Sequence, residues 1–241
     1  MWVERIERGE ICVADEEELG RHCVGLAANN TKHGGFQLYT VCKDIIVSPI
    51  PDSLPFEQAV VLPLAISTAA TGLFKMGRPA LPYPTNASKP TGKTVLVWGG
   101  SSSVGSSAIQ LAAAAGVTVV TVASSHNLQY VKSLGTEHAF NYKSPSVVDD
   151  IVSAVKSTDS AGVFNAISMG ESSGIWSQVL RKLGSGGKYA STLPEAEGVP
   201  KDMAGGGKST IAKQPFVGMT RTVGLTTILS LCLDCCRLGY R

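Results

Sequence analysis

Thr94-Val95-Leu96-Val97-Trp98-Gly99-Gly100-Ser101-Ser102-Ser103-Val104-Gly105-Ser106 is the stretch that decides the fold. Five apolar, β-favouring residues end in a turn of glycine and serine, and an alanine-rich helical pattern, Ser106 to Ala115, follows and stops at Gly116. A strand, a tight small-residue turn and a helix make an anion site for physical reasons. The turn directs backbone N–H groups outward, the helix N-terminus adds about half a positive charge, and small side chains let a phosphate come close. The spacing Gly100-x-Ser102-x-x-Gly105 fits the dinucleotide fingerprint, with Ser102 in place of the middle glycine.

The alternation continues downstream. Val117 to Val122 predicts a second strand and Leu128 to Leu134 a helix, stopped by Gly135. His138 to Phe140 predicts a short strand, Val147 to Val155 a helix, Val163 to Ile167 a fourth strand, Ile175 to Leu183 a helix and Lys188 to Ser191 a fifth strand. Buried strands separated by helices of this length imply a doubly wound parallel sheet, a Rossmann-type α/β fold with right-handed crossovers. Phe216 to Met219 is a candidate sixth strand.

The first 90 residues read differently. Gly34 to Val41 alternates like a half-buried strand, Ile45 to Val47 is a second short strand, and a helix begins near Ser53 with Pro55 in its first turn. Pro79 to Pro90 reads as a surface excursion, and Ala204 to Ser209 as a flexible loop. The division that results is 1–90 for a β-containing first unit with a linking helix, 91–200 for the nucleotide domain, and 201–241 for an irregular tail with a last strand near 215–219.

Composition excludes several classes. With 44% hydrophobic and 17% charged residues the chain is globular rather than disordered. A net charge of +2 without a basic stripe argues against nucleic acid. No signal core opens the chain, and no uninterrupted apolar run reaches the roughly 18 residues of a membrane span, so a cytoplasmic location without membrane insertion is expected. Cys232, Cys235 and Cys236 resemble half of a metal site, but no second Cys/His pair stands at a zinc-like spacing, and no metal is expected. Gly205 to Ser209 ends like a phosphate loop but lacks the first glycine and a preceding strand.

The second strand bears on the cofactor. An NAD-preferring site places an acid after it, where the chain reads Ser124-Ser125-His126-Asn127. Small hydroxyls and a histidine donate hydrogen bonds to a 2′-phosphate, so NADPH is expected over NADH. An ordinary exposed helix-start histidine would account for His126 equally well.

These residues resemble the medium-chain dehydrogenase/reductase superfamily, in its zinc-free enoyl reductase and quinone reductase branch, and within it the fungal trans-acting enoyl reductases. The matching stretches are Gly35 to Gln37, Ile50 to Leu54, Val61 to Leu64, Ser67 to Leu73, Val95 to Ala112 and Gly187 to Ala190. The resemblance implies a partial GroES-like β-rich N-terminal domain before the nucleotide domain. It implies that Ser101, Ser102, Ser103 and Val104, between Gly100 and Gly105, hold the pyrophosphate. Ser124, Ser125, His126 and Asn127 would surround the 2′-phosphate with Tyr142 beside them, and Ser168 and Leu193 would contact the cofactor after the fourth and fifth strands. Ile66, Ser67, Thr68, Ala69, Ala70, Thr71, Gly72 and Leu73 would run beside nicotinamide and substrate, with Thr68 as the candidate polar group near the reaction. A plain packing helix over 66–73 and a core aromatic at Tyr142 remain open alternatives. The implied activity is NADPH-dependent reduction of an activated C=C, in an enoyl thioester (free or carrier-bound), an enone or a quinone, within fungal secondary metabolism and with a polyketide synthase as partner. Against the family pattern the chain looks truncated at both ends, so a catalytically silent dinucleotide-binding remnant or accessory protein is the alternative, and an uncovered apolar edge would favour a homodimer.

Overall fold

The computed structural model describes residues 55–75, 79–85, 88–167, 172–184 and 188–192 in full, together with the backbone of five short N-terminal strands. These strands are β1 (Arg5–Ile6), β2 (Glu10–Val13), β3 (Cys23–Gly25), β4 (Thr40–Lys43) and β5 (Val47–Pro49). β1, β2 and β4 pair antiparallel in that order, and β3 pairs antiparallel with β5. The chain divides into two compact units, Met1–Leu64 with Pro215–Arg241, and Ala65–Gln214.

A short helix α1 (Phe56–Ala59) starts at Pro55, and helix α2 runs over Leu62–Phe74 with Pro63 in its first turn, where a missing N–H costs nothing. The segment Phe56–Phe74 is, among the described residues, the one helical stretch long and apolar enough to cross a membrane; half of its apolar window is buried inside the protein, as in an ordinary core helix.

The larger unit is built on five parallel strands. They are β6 (Lys93–Trp98), β7 (Thr118–Ala123), β8 (His138–Asn141), β9 (Asp159–Asn165) and β10 (Tyr189–Ser191), ordered β10-β9-β6-β7-β8. Sequence order runs outward from β6 to β8, then restarts at β9 on the other side of β6. The expected doubly wound parallel sheet is therefore present, with its switch point between β6 and β9.

The connecting helices are α3 (Ser103–Ala114), α4 (Leu128–Ser133), α5 (Val147–Val155) and α6 (Ser172–Leu183), with one 3₁₀ turn at Ser125–Asn127. Side chains alternate across a strand, so successive residues serve opposite layers. Leu96, Trp98, Val120, Val122 and Val163 pack with Val147, Ile151 and Val155 of α5 and with Trp176, Val179 and Leu180 of α6. Val95, Val97, Val119 and Thr121 are also fully buried and point to the other face, where Ile109 of α3 lies close to Thr121.

Several boundaries move from where local pattern puts them. β9 begins at Asp159 rather than Val163 and ends at Asn165 rather than Ile167. Asp159, Ser160 and Gly162 have poor strand propensity, but pairing with β6 recruits them (Lys93 opposite Asp159, Val95 opposite Gly162) with a register shift between Thr94 and Val95. Ala166 then donates to the Trp98 carbonyl at 2.9 Å as the chain leaves the sheet. Strand β5 begins at Val47, so of Ile45 to Val47 only the last residue is in a described strand. The segments 34–39, 193–200 and 201–241, including the proposed strand near 215–219, lie outside the described residues.

Candidate dinucleotide site

β6 delivers the chain to the middle of the sheet, where Gly99, at φ +84°, reverses it. The amides of Gly99 and Gly100 both donate to the Val122 carbonyl, at 3.2 and 3.0 Å, so the turn is pinned to β7. Ser102 is extended and caps α3: its Oγ accepts from the Gly105 amide at 3.1 Å and donates to the Gly99 carbonyl at 2.8 Å. The serine that replaces the fingerprint's middle glycine thus turns inward, leaving the outer surface of the turn to the backbone.

The glycines flanking it are required by close approach. A Cβ on Gly100 would overlap Thr121 Oγ1 and come 2.8 Å from Ile109 Cδ1. A Cβ on Gly105 would overlap the Gly99 carbonyl oxygen. The first packs the turn against β7 and α3; the second lets the first turn of α3 sit directly on the chain reversal.

The cap satisfies the amide of Gly105, and that of Ser106 bonds to the Ser102 carbonyl. Among the described residues, the amides of Ser101, Ser103 and Val104 have no hydrogen-bond partner. No acidic side chain stands in the first turn of α3 to neutralise its positive end. Three open N–H groups at an uncompensated helix N-terminus form a receptor for an anion such as a pyrophosphate.

A cleft of about 980 Å³ opens beside this turn, in the size range of small-molecule sites. Its lining includes Gly99 and Ser101 from the turn, Ser124 beyond β7, Tyr142 and Lys143 beyond β8, and Ile167 beyond β9. All follow the carboxyl ends of parallel strands around the switch point, where open α/β sheets bind their ligands.

At the β7 end, Ser124 precedes the 3₁₀ turn. Its Oγ lies 3.3 Å from His126 Nε2 and accepts from Asn127 Nδ2 at 3.2 Å. Ser124, His126 and Asn127 therefore form one partly exposed polar cluster, with no carboxylate in it. Ser125 is exposed at the start of the turn. Tyr142 is 41% exposed, which removes the core-aromatic alternative for it. Lys143, which sequence reading passed over although it adjoins Tyr142, holds its Nζ 5.7 Å from the Tyr142 ring centroid on the cleft wall. Its signal was a lone cation immediately after a short strand in a chain without other cations nearby.

The structure brings Gly99 and Ser101 of the turn, Ser124 and Tyr142 to one cleft, with Ser125, His126 and Asn127 following Ser124 but not lining it. It does not bring Ile66–Leu73 there. Ile66, Ala69, Ala70 and Leu73 are fully buried, Gly72 lies against the Phe164 ring, Thr71 Oγ1 donates to the Ser67 carbonyl at 2.7 Å, and Thr68 is only 6% exposed. None of the eight lines this cleft. Ser168 and Leu193 lie outside the described residues.

Residues 103–193 match the family model described as zinc-binding dehydrogenase. Over those residues the chain is similar to the zinc-binding dehydrogenases of the medium-chain dehydrogenase/reductase superfamily. Among curated relatives, the trans-enoyl reductase himH of Aspergillus japonicus is 41% identical over 182 residues, 76% of this chain and 52% of that protein. The dehydrogenase orf1 of Aspergillus niger is 48% identical over 141 residues, 58% of this chain and 41% of that protein. The chain thus spans about half the length of the curated relatives it matches. An alcohol dehydrogenase superfamily protein from Novosphingobium aromaticivorans shares the fold at a TM-score of 0.57 and 20% identity, over 92% of this chain and 69% of that one.

The family's description invokes zinc. Among the described residues no three His, Cys, Asp or Glu side chains come together as a metal site. The dinucleotide fits better: open amides, glycines that a Cβ would block and a cleft of suitable size coincide.

Proposed function

We propose that this chain is an NADPH-dependent oxidoreductase that reduces an activated carbon–carbon double bond, an enoyl thioester or an enone, as a partner of a polyketide synthase. The observation that carries the cofactor half of the reading is the open set of amides at Ser101, Ser103 and Val104, beside the cleft that Ser101 lines. The preference for NADPH rests on the acid-free cluster of Ser124, His126 and Asn127, with Lys143 lining the same cleft as Ser124, which together offer hydrogen bonds and a positive charge to a 2′-phosphate. The substrate class rests on relatives named trans-enoyl reductases.

When bound, the nicotinamide would supply a hydride for the β-carbon of the double bond, and a proton from solvent would complete the reduction at the α-carbon. The residues of this chain bind and orient. The turn fixes the pyrophosphate, the Ser124 cluster the adenosine end, and Ile167, which packs over Gly99, forms an apolar wall of the cleft. Positioning of this kind is what a hydride transfer requires of the protein.

A second reading, cofactor binding without turnover, is favoured by the burial of Thr68, which does not line the cleft. Following NADPH absorbance with crotonyl and longer enoyl thioesters, and with quinones, separates the two. Oxidation that depends on the enoyl thioester supports the reductase. Binding without oxidation supports the silent domain, and absence of binding refutes both.

A further inference from the structure

Helix α4 carries Tyr130, whose hydroxyl lies 3.2 Å from Ser106 Oγ. Ser106 is buried on α3, and its Oγ lies 3.1 Å from the Gly100 carbonyl oxygen. A carbonyl can only accept, so the single hydroxyl proton of Ser106 is committed to Gly100, and Tyr130 must be the donor to Ser106. The result is a directed relay from Tyr130 through Ser106 to the Gly100 carbonyl.

That relay determines which way one peptide plane faces. There is no cis peptide bond among the described residues, so the Gly100 carbonyl and the Ser101 N–H lie on opposite sides of their shared peptide. Drawing the carbonyl inward, toward α3, turns the Ser101 N–H outward. Ser101 lines the cleft, and its amide has no partner among the described residues. With the amides of Gly99 and Gly100 both tied to Val122, the Gly100–Ser101 peptide is the one whose orientation the relay controls.

We infer that Tyr130 is a positioning residue that holds the Ser101 amide toward the cofactor's pyrophosphate, acting through Ser106. This rests on the NADPH reading above. α4 also begins directly after the Ser124–Asn127 cluster. Tyr130 therefore ties the element that follows the 2′-phosphate end to the turn at the pyrophosphate end.

The test uses the full chain, with NADPH and with 2′-AMP, which carries the 2′-phosphate but no pyrophosphate. Tyr130→Phe keeps the ring and removes only the donor. NADPH should bind about fivefold more weakly, the effect of one modest hydrogen bond, while 2′-AMP affinity stays unchanged and reports an intact fold. Ser106→Ala should give a similar loss, and the double variant no more than either alone, because both interrupt one relay. Unchanged NADPH affinity in Tyr130→Phe, or an equal loss for 2′-AMP, overturns the positioning role and leaves the cofactor reading standing. A wild-type chain that fails to bind NADPH overturns the cofactor reading and this inference with it.

Discussion

Placing an alanine at Gly105 tests the turn at its tightest point. The added Cβ would overlap the Gly99 carbonyl oxygen and come 2.9 Å from the Gly99 carbonyl carbon and from Ser102 Oγ. Two of these three atoms are backbone, and the third is the cap of α3, so no flexible side chain can yield. Overpacking of this kind costs about 1–3 kcal/mol, and displacing the Ser102 cap adds on the order of 1 kcal/mol. Alanine's better helix propensity returns up to about 1 kcal/mol. The net expectation is a loss of roughly 2 kcal/mol, or about 4–8 °C in Tm for a domain of this size. Gly174 supplies the control: it lies in the first turn of α6, and a Cβ there meets nothing within 4 Å. Gly174→Ala should leave Tm unchanged or raise it by up to about 1 kcal/mol equivalent. Thermal unfolding followed by circular dichroism, paired with an NADPH titration, reads both variants. Gly105→Ala should lose stability and at least tenfold in NADPH affinity, whereas Gly174→Ala keeps its affinity. A Gly105→Ala protein as stable and as tightly binding as wild type would refute the close-approach reasoning.

Three further outcomes follow from the same geometry. Ser102→Ala removes a cap that bonds both Gly99 and Gly105, and denaturant unfolding should show a loss of about 1 kcal/mol with an unchanged m-value. Ser124→Asp places a carboxylate in the acid-free cluster; comparative titrations should show NADPH binding weakened and the preference moved toward NADH, and a retained NADPH preference would remove this cluster from cofactor selection. Phe164→Ala empties the space between β9 and Gly72 of α2, and should cost about 3–5 kcal/mol by chemical denaturation.

Much of the nucleotide domain was legible because each strand is a short apolar run closed by a glycine or by small polar residues. α5 matched its pattern over Val147–Val155, and the strands β6, β7 and β8 fell within a residue or so of their apolar runs. What failed had a tertiary cause. Asp159 to Gly162 joins β9 because β6 offers a ladder, and no local pattern encodes that offer. α3 starts at Ser103, three residues before the alanine-rich pattern, since Ser102 supplies a cap where composition alone suggests loop. At the site, the glycine spacing located the turn, but the inward rotation of Ser102 depends on the Gly99 reversal. Lys143 went unassigned because what brings it to the same cleft as Ser124 is a relation between two strand ends and not between neighbours in sequence. Ile66 to Leu73, which resembles a substrate-side segment, is largely buried, and its contact of Gly72 against Phe164 joins residues far apart in the chain, a relation no local pattern encodes.

The most direct test of the central claim is an amide NMR titration of the chain with NADPH. If the turn holds the pyrophosphate, the amide protons of Ser101, Ser103 and Val104 shift downfield together as they gain an anionic acceptor, while those of Gly99 and Gly100, already bonded to Val122, move little. NADPH binding that leaves the three open amides unmoved, or no binding at all, would contradict the assignment of this turn as the dinucleotide site.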